Sequence, residues 1–419
     1  MDKKFDVVIG NPPFQNSIDK KKTQHKLWIP ATFKAFDILK EDGHLLWITP
    51  TSWGSPSNKI LKLMQEKYVC KINFDIGNYF SNIGSTFCYY NIINNVANNK
   101  TIIHNNDKSF LIDIGSDFNY IPNDFCEESI SIHKKVIFDT ENFYDIQYDY
   151  VNCHNNIILQ SKRKNTHSSL SHIKTESHIY PVFHTNNKIW YSEILQDFAL
   201  KPKVMWSRSG YVKPFFNDNL GCTDMGYFIL VDNKEAGDIL VHNLDSSLFK
   251  YIFKTAKWSG FNSEKLFQML PELPNKKMSD LNIMNHFNIS KNEQEYIYKF
   301  LASKNSNKNV KKQKVSRNKA KSDEFGEVFT PPNLVSLMLD ELPQYFFSKN
   351  YSFIDPFCGT GNFLVEVIKR KIKAGVSKYD AAKETYGAEI DKNNIKIFNN
   401  RVKEISNRKS QAWCQDMLI

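Results

Sequence analysis

Phe353–Leu364 reads FIDPFCGTGNFL. Apolar Phe353 and Ile354 lead to Asp355 at the end of a buried strand, Gly359 and Gly361 make a turn, and the residues from Asn362 carry helical spacing. Glycines in such a turn let backbone N–H groups approach a ligand, and the helix N-terminus adds positive potential. Alone, this turn would suit a dinucleotide or a phosphate group equally well. Downstream, YGAEID (386–391) ends a second strand in Glu389, about where a carboxylate grips a ribose diol. QAWCQDML (411–418) ends a third strand in Gln415-Asp416-Met417, which offers a carboxylate for an adenine amino group and an apolar side chain for its face. Glycines, an acid and an acid on three successive strand ends form a nucleoside-binding edge.

Outward from this edge, strand and helix signals alternate at both ends of the chain. Near the N-terminus, strands at Phe5–Ile9, HLLWITP, YVCKINFD and TFCYYNII alternate with helices at LWIPATFKAFDIL, closed by KEDG, and at NKILKLMQEK. The expected fold class is α/β, a doubly wound and mostly parallel sheet assembled from both chain ends. From residue 98 the text turns Asn-rich, with short aromatic strands, hairpin material at PKVMWSRSGYVKPFFND and TDMGYFILVD, and short helices at SEKLFQMLPELP and KNEQEYIYKFLAS. Four segments follow: 1–97, an inserted mixed α+β region 98–300, a basic tether 301–322, and 323–419. The tether, polar and almost free of apolar residues, reads as a flexible linker.

The whole chain has 419 residues, a formal net charge of +10 and a pI near 9.0, which point to an acidic partner, nucleic acid first. Seven cysteines are scattered without a CxxC pair or a Cys/His cluster at zinc spacing, so a reducing compartment without disulfides or structural metal is expected. No signal-peptide core or membrane-length apolar run is apparent, which makes the expected location cytoplasmic, in a bacterium or a phage-infected host.

FDVVIGNPPF (5–14) supplies what the glycine turn lacks: a short buried strand delivering Gly10, then Asn11-Pro12-Pro13-Phe14. With it the chain resembles the N6-adenine DNA methyltransferases, especially the γ-class enzymes of type II modification systems and their phage relatives. GEVFTPPNLV (326–335) resembles their motif X, DPFCGTGNFL motif I, GAEID motif II, CQDML motif III and NPPF motif IV. The order differs from the usual γ arrangement, because motif IV opens the chain and X, I, II and III close it. The resemblance therefore implies a circularly permuted Rossmann-like methyltransferase domain, with residues 98–300 as a target-recognition domain.

The resemblance also implies roles for individual residues. Asn11, Pro12, Pro13 and Phe14 are catalytic: the Asn11 side-chain oxygen and the Pro12 carbonyl accept the amino hydrogens of a flipped adenine, and Phe14 stacks on the base. Thr330, Pro331, Asp355, Phe357, Gly359, Gly361, Glu389, Ile390, Asp416 and Met417 hold S-adenosyl-L-methionine. Apart from the resemblance, Phe87 in its strand and Arg163, Arg208, Lys257 and Trp258, in stretches where basic residues are interleaved with aromatics, are the expected contacts to double-stranded DNA, although solvated charge and core aromatics explain the same residues. No metal is required. Cys358 lies in the cofactor turn and reads as a packing residue. No PD…(D/E)xK nuclease pattern is present, so a restriction endonuclease would be a separate chain. Methylation of RNA adenine, cytosine N4 or a protein glutamine, and a non-catalytic DNA-specificity role, remain open readings of the sequence.

Overall fold

The computed structural model describes residues 3–14, 26–56, 58–80, 86–97, 100–105, 107–115, 118–148, 170–185, 188–208, 213–256, 269–306 and 330–417. The chain falls into two compact units, one built from both chain ends (Met1–Tyr120 with Gln313–Ile419) and one from Ile121–Lys312.

A nine-stranded sheet organises the first unit. Its N-terminal strands are β1 (Phe5–Gly10), β2 (Leu39–Pro50), β3 (Lys67–Asn73), β4 (Phe87–Val96), β5 (Thr101–Asn105) and β6 (Lys108–Ile112). Numbering continues through the second unit, so the strands after residue 330 are β15 (Phe353–Asp355), β16 (Thr385–Glu389) and β17 (Gln411–Cys414). The spatial order is β17-β16-β15-β1-β2-β4-β3-β5-β6. From β17 to β2 every neighbouring pair is parallel, whereas β4 runs against β2 and β3, and β6 against β5.

The central strands are apolar on both faces, as a sheet covered on two sides requires. Val7 and Ile9 of β1 share a core cluster with Leu46 and Ile48 of β2 and with Leu334, Val335 and Met338 of the Pro332–Leu339 helix. The Trp28–Asp37 helix buries Trp28, Ala31, Thr32 and Ala35, and Trp47 of β2 donates its indole N–H to Thr32 Oγ1 at 3.2 Å. Polar pins join residues from the two chain ends. Asp6 Oδ2 accepts from the Ser352 backbone N–H and hydroxyl at 2.8 and 2.7 Å, while Lys40 donates to Asp6 Oδ1 at 2.8 Å. Glu341 Oε1 accepts from Tyr89 and Lys71 at 2.8 and 2.7 Å.

Several expected boundaries move. KEDG does not close a helix: β2 already begins at Leu39, Asp42 adopts a positive φ of 57°, and the β1–β2 register shifts between Phe5 and Val7. The segment is a bulge that an interior strand absorbs. Residue 98 is not where the first unit ends either. β5 and β6 extend the large sheet, since Thr101, Ile103 and Asn105 alternate inward despite the Asn-rich text. The Lys291–Ser306 helix runs past residue 301, where the tether was expected to begin, and 307–329 lie outside the described residues. Of SEKLFQMLPELP (263–274), residues 263–268 lie outside the described residues, and Pro271 forms an isolated bridge with Phe143. A short Lys378–Lys383 helix, not anticipated, precedes β16.

The second unit is mixed α+β. Its strands are β7 (Ile146–Gln147), β8 (Leu170–Ser171), β9 (Tyr180–Phe183), β10 (Ile189–Ser192), β11 (Lys203–Ser207), β12 (Phe215–Asn217), β13 (Gly221–Cys222) and β14 (Gly226–Leu230). They form two four-stranded sheets, β13-β9-β10-β8 and β12-β11-β14-β7, accompanied by helices at Lys234–Leu244, Ser247–Thr255 and Lys291–Ser306. Phe183, Met205, Cys222 and Phe228 pack together in one core cluster. Among the described residues no helix is long and apolar enough to cross a membrane.

Candidate active site

β1 and β15 lie side by side, with Val7 opposite Phe353 and Val8 opposite Ile354. From β1 the chain moves to β2 on one side, and from β15 to β16 on the other. The order therefore reverses between these two strands, and the crevice beyond their carboxyl ends is the usual ligand site of an open α/β sheet. Asp355 ends β15 and Gly10 ends β1. A side chain at Gly10 would put its first carbon 2.8 Å from Asp355 Oδ1 and 2.9 Å from Trp47 Cζ3, so glycine is what lets the strand ends approach.

Beyond Gly10, Asn11 Nδ2 donates to Thr330 Oγ1 at 3.2 Å. Pro12 is buried, while Pro13 and Phe14 are half-buried. Consecutive prolines fix φ and offer carbonyls without competing N–H groups. The Phe14 ring packs on Phe87 with centroids 4.9 Å apart, and Phe87 packs in turn on Phe80 at 4.8 Å. Phe87 was expected to face a nucleotide. Only 2% of it is exposed, so in this state it backs Phe14 instead of presenting a free face.

The glycine turn is held from both sides. Asp355 Oδ1 accepts from the Phe357 N–H at 3.0 Å, and Glu389 Oε2 accepts from the Gly359 N–H at 2.8 Å. Glu389 Oε1 accepts from the Asp391 N–H at 2.9 Å. Each carboxylate oxygen has a second lone pair, so Glu389 can brace the turn and still accept from a ligand hydroxyl. Gly359 and Gly361 take positive φ angles of 50° and 83°. Ile390, 52% exposed, stands next to Glu389, and half-buried Asp416 and Met417 follow β17. Phe357 is half-buried against Trp47, with centroids 6.2 Å apart. Thr330 is buried, and half-buried Pro331 caps the Pro332–Leu339 helix.

Burial pushes the Asp355 carboxyl up to about 8; the Phe357 N–H opposes this, and the nearby Glu389 charge adds to it. Burial, followed by Asp355 and Glu389, raises the Cys358 thiol well above its ordinary range. A thiol kept protonated in this way is a packing group and a poor nucleophile.

Three residues were not picked out from the sequence. Gly10 was legible in principle, because it directly precedes NPPF. Asn362 and Arg401 were not. Asn362 Nδ2 donates to the Thr330 carbonyl at 2.9 Å, and Arg401 NH1 donates to Asn362 Oδ1 at 2.8 Å and to the Thr360 carbonyl at 2.7 Å. No local pattern marks a helix arginine as the support of a distant turn.

Of the expected DNA contacts, Arg163, Lys257 and Trp258 lie outside the described residues. Arg208, in the second unit, follows β11; its backbone N–H donates to the Met225 carbonyl at 2.8 Å and its NH1 to the Asp224 carbonyl at 3.4 Å. Among the described residues no group of three or more His, Cys, Asp or Glu could hold a metal ion.

Comparison with known proteins bears on the same residues. Residues 1–81 match a family model described as "Eco57I restriction-modification methylase", and residues 297–418 match one described as "N-6 DNA Methylase". Both ends of the chain are methylase-like. The type II methyltransferase M.VspI of Vibrio sp. (strain 343) is 35% identical over 80 residues, which cover 19% of this chain and only 17% of that protein. Solved structures similar in part include the type IIL restriction-modification enzyme MmeI in complex with DNA, at 11% identity and a TM-score of 0.33, covering 73% of this chain and 50% of that one. The DNA-bound type ISP restriction-modification enzyme LlaBIII matches at 11% identity and a TM-score of 0.34, covering 74% and 30%.

Proposed function

We propose that this chain is an S-adenosylmethionine-dependent DNA methyltransferase acting on N6 of an adenine flipped out of the duplex. One observation carries the reading. The Asn11-Pro12-Pro13-Phe14 segment and the Asp355–Gly361 turn, from opposite ends of the sequence, extend from adjacent parallel strands at the point where the sheet order reverses. The two methylase family matches support it independently, one on each segment.

The donor set suits the cofactor. Glu389 supplies acceptors for a ribose diol, exposed Ile390 an apolar surface for an adenine ring, and the glycine turn backbone N–H groups under a helix N-terminus. When bound, S-adenosylmethionine supplies a methyl group activated on a sulfonium. Thr330, Pro331, Asp355, Phe357, Asp416 and Met417 complete the pocket in this reading.

The chemical task of the chain's own residues is to make an amino nitrogen nucleophilic. The lone pair of adenine N6 is delocalised into the ring. Accepting both N–H hydrogens, at Asn11 Oδ1 and the Pro12 carbonyl, draws the nitrogen toward tetrahedral geometry and localises that pair. Phe14 holds the extruded base by stacking, which offsets part of the unstacking cost. Catalysis by this route is positioning, without a covalent intermediate on the protein.

In this reading the motifs occur in circularly permuted order. The second unit is the target-recognition domain, with Arg163, Arg208, Lys257 and Trp258 among its DNA contacts. The test is single-molecule sequencing of DNA from a methylation-deficient host expressing the chain, with Asn11→Ala as control. N6-methyladenine at one recurring motif, lost in the variant, is the expected result. An unmodified genome from a soluble, cofactor-binding preparation would move the assignment to RNA or protein glutamine.

A further inference from the structure

Asn362 lies at the first position of the Asn362–Lys373 helix, directly after Gly361, and its carboxamide is fixed in both senses. Its nitrogen donates to the Thr330 carbonyl, which can only accept, at 2.9 Å. Its oxygen accepts from the Arg401 guanidinium, which can only donate, at 2.8 Å. Rotating the amide by half a turn would therefore lose both bonds. The same Arg401 nitrogen donates to the Thr360 carbonyl inside the glycine turn at 2.7 Å. At the other end, the Thr330 hydroxyl oxygen accepts from Asn11 Nδ2 at 3.2 Å. A continuous polar chain thus runs from Arg401 through Asn362 and Thr330 to Asn11, touching the glycine turn on the way.

We infer that Asn362, oriented by Arg401, is a positioning residue that sets the Asn11 carboxamide through Thr330 and ties its placement to the glycine turn. The inference rests on the methyltransferase reading above and assigns roles to two side chains that this reading does not use. Its physical basis is the cost of misplacement. A side chain that must meet an amino hydrogen at hydrogen-bond distance loses on the order of 10²-fold in rate for a displacement of ~1 Å. Asn11 follows a strand end and precedes a proline pair, so its backbone is constrained while its side chain needs a partner to fix it. Thr330 is that partner, and the Asn362 bond holds the Thr330 backbone in place.

The decisive variant is Asn362→Asp, which keeps the volume and strengthens the contact to Arg401. It sets a carboxylate oxygen against the Thr330 carbonyl, so the bond becomes a repulsion. A purely space-filling or Arg401-anchoring role predicts full activity. Positioning predicts that kcat falls on the order of 10²-fold while KM for DNA changes little. Thr330→Val and Thr330→Ser form a second pair, compared at saturating S-adenosylmethionine because Thr330 also lines the cofactor pocket: valine removes the hydroxyl that holds Asn11, and its kcat should fall well below that of serine, which keeps it.

Transfer of labelled methyl groups from S-adenosylmethionine to duplex DNA is the readout, with thermal melting to verify folding. Should Asn362→Asp fail to fold, the Thr330 pair decides. Wild-type activity with no loss in Asn362→Asp, or with Thr330→Val as fast as Thr330→Ser, overturns the inference alone. A folded wild-type protein that transfers nothing to DNA overturns the functional reading, and the inference falls with it.

Discussion

Gly361 sits at a φ of 83°, and a side chain there would overlap the Phe398 ring, which is itself fully buried. Gly361→Ala therefore combines left-handed strain of roughly 1–3 kcal/mol with a steric clash at the cofactor turn. We expect a lowered melting temperature and weaker S-adenosylmethionine binding by calorimetry; unchanged affinity would refute the placement of the pocket. Asn11→Ala should do the opposite, abolishing turnover while cofactor affinity stays at the wild-type value. Asp355 adds a pH signature. Its folded-state pKa of about 8 exceeds the value of about 3.9 expected in an unfolded chain, so the native state retains a proton that the unfolded state gives up. Through this group, stability falls as pH rises from about 4 to about 8 and then levels off. Asp355→Asn removes that penalty, and in cofactor-free protein its melting temperature should gain on the wild type at pH 8 but not at pH 4; equal differences at both would show that Asp355 is not the titrating group. Asn11, Gly359 and Gly361 were legible because their chemistry lies in adjacent residues. Asn362 and Arg401 were not, since each acts on a partner that only the folded sheet brings near.

Strand pairing carries the same lesson to the element scale. The alternation of strands and helices at both ends was readable because buried parallel strands are short apolar runs such as VVI in β1. The β5–β6 hairpin and the bulge in β2 were hidden, because asparagines and a KEDG sequence spell turns locally while the sheet accommodates them as strand. What registers β1 beside β15 is the Asp6–Ser352 pin, reinforced by Lys40. Burial would raise the Asp6 carboxyl, but the Lys40 ammonium and the Ser352 donors together hold it below its ordinary value. A depressed carboxylate contributes stability that is present above its unfolded pKa and is lost as pH falls through the folded one. Asp6→Ala should therefore cost about 1–3 kcal/mol in urea unfolding at neutral pH. The difference from wild type should shrink in acid, once Asp6 is protonated; a cost that persists undiminished there would assign it to packing instead of charge.

On the scale of the whole molecule, the first unit cannot be divided where the sequence divides it. β1 is a central strand only because β15 covers one side, and the Pro332–Leu339 helix covers Val7 and Ile9. Deleting residues 313–419 would turn β1 into an apolar edge, a template for aggregation. It would also remove Leu334, Val335, Met338 and Leu339, all buried to within 1%. At about 1.5–3 kcal/mol each, those four side chains alone represent roughly 6–12 kcal/mol of burial. That equals the entire stability of an ordinary domain, about 5–15 kcal/mol. The truncated chain should therefore show no cooperative thermal transition and should bind hydrophobic dye. Adding the missing segment in trans should restore a transition if pairing between β1 and β15 is what completes the unit. A sharp melting transition in the N-terminal fragment by itself would instead mean that β1 to β6 form a self-sufficient sheet, and the candidate site would then be assembled by docking two preformed parts.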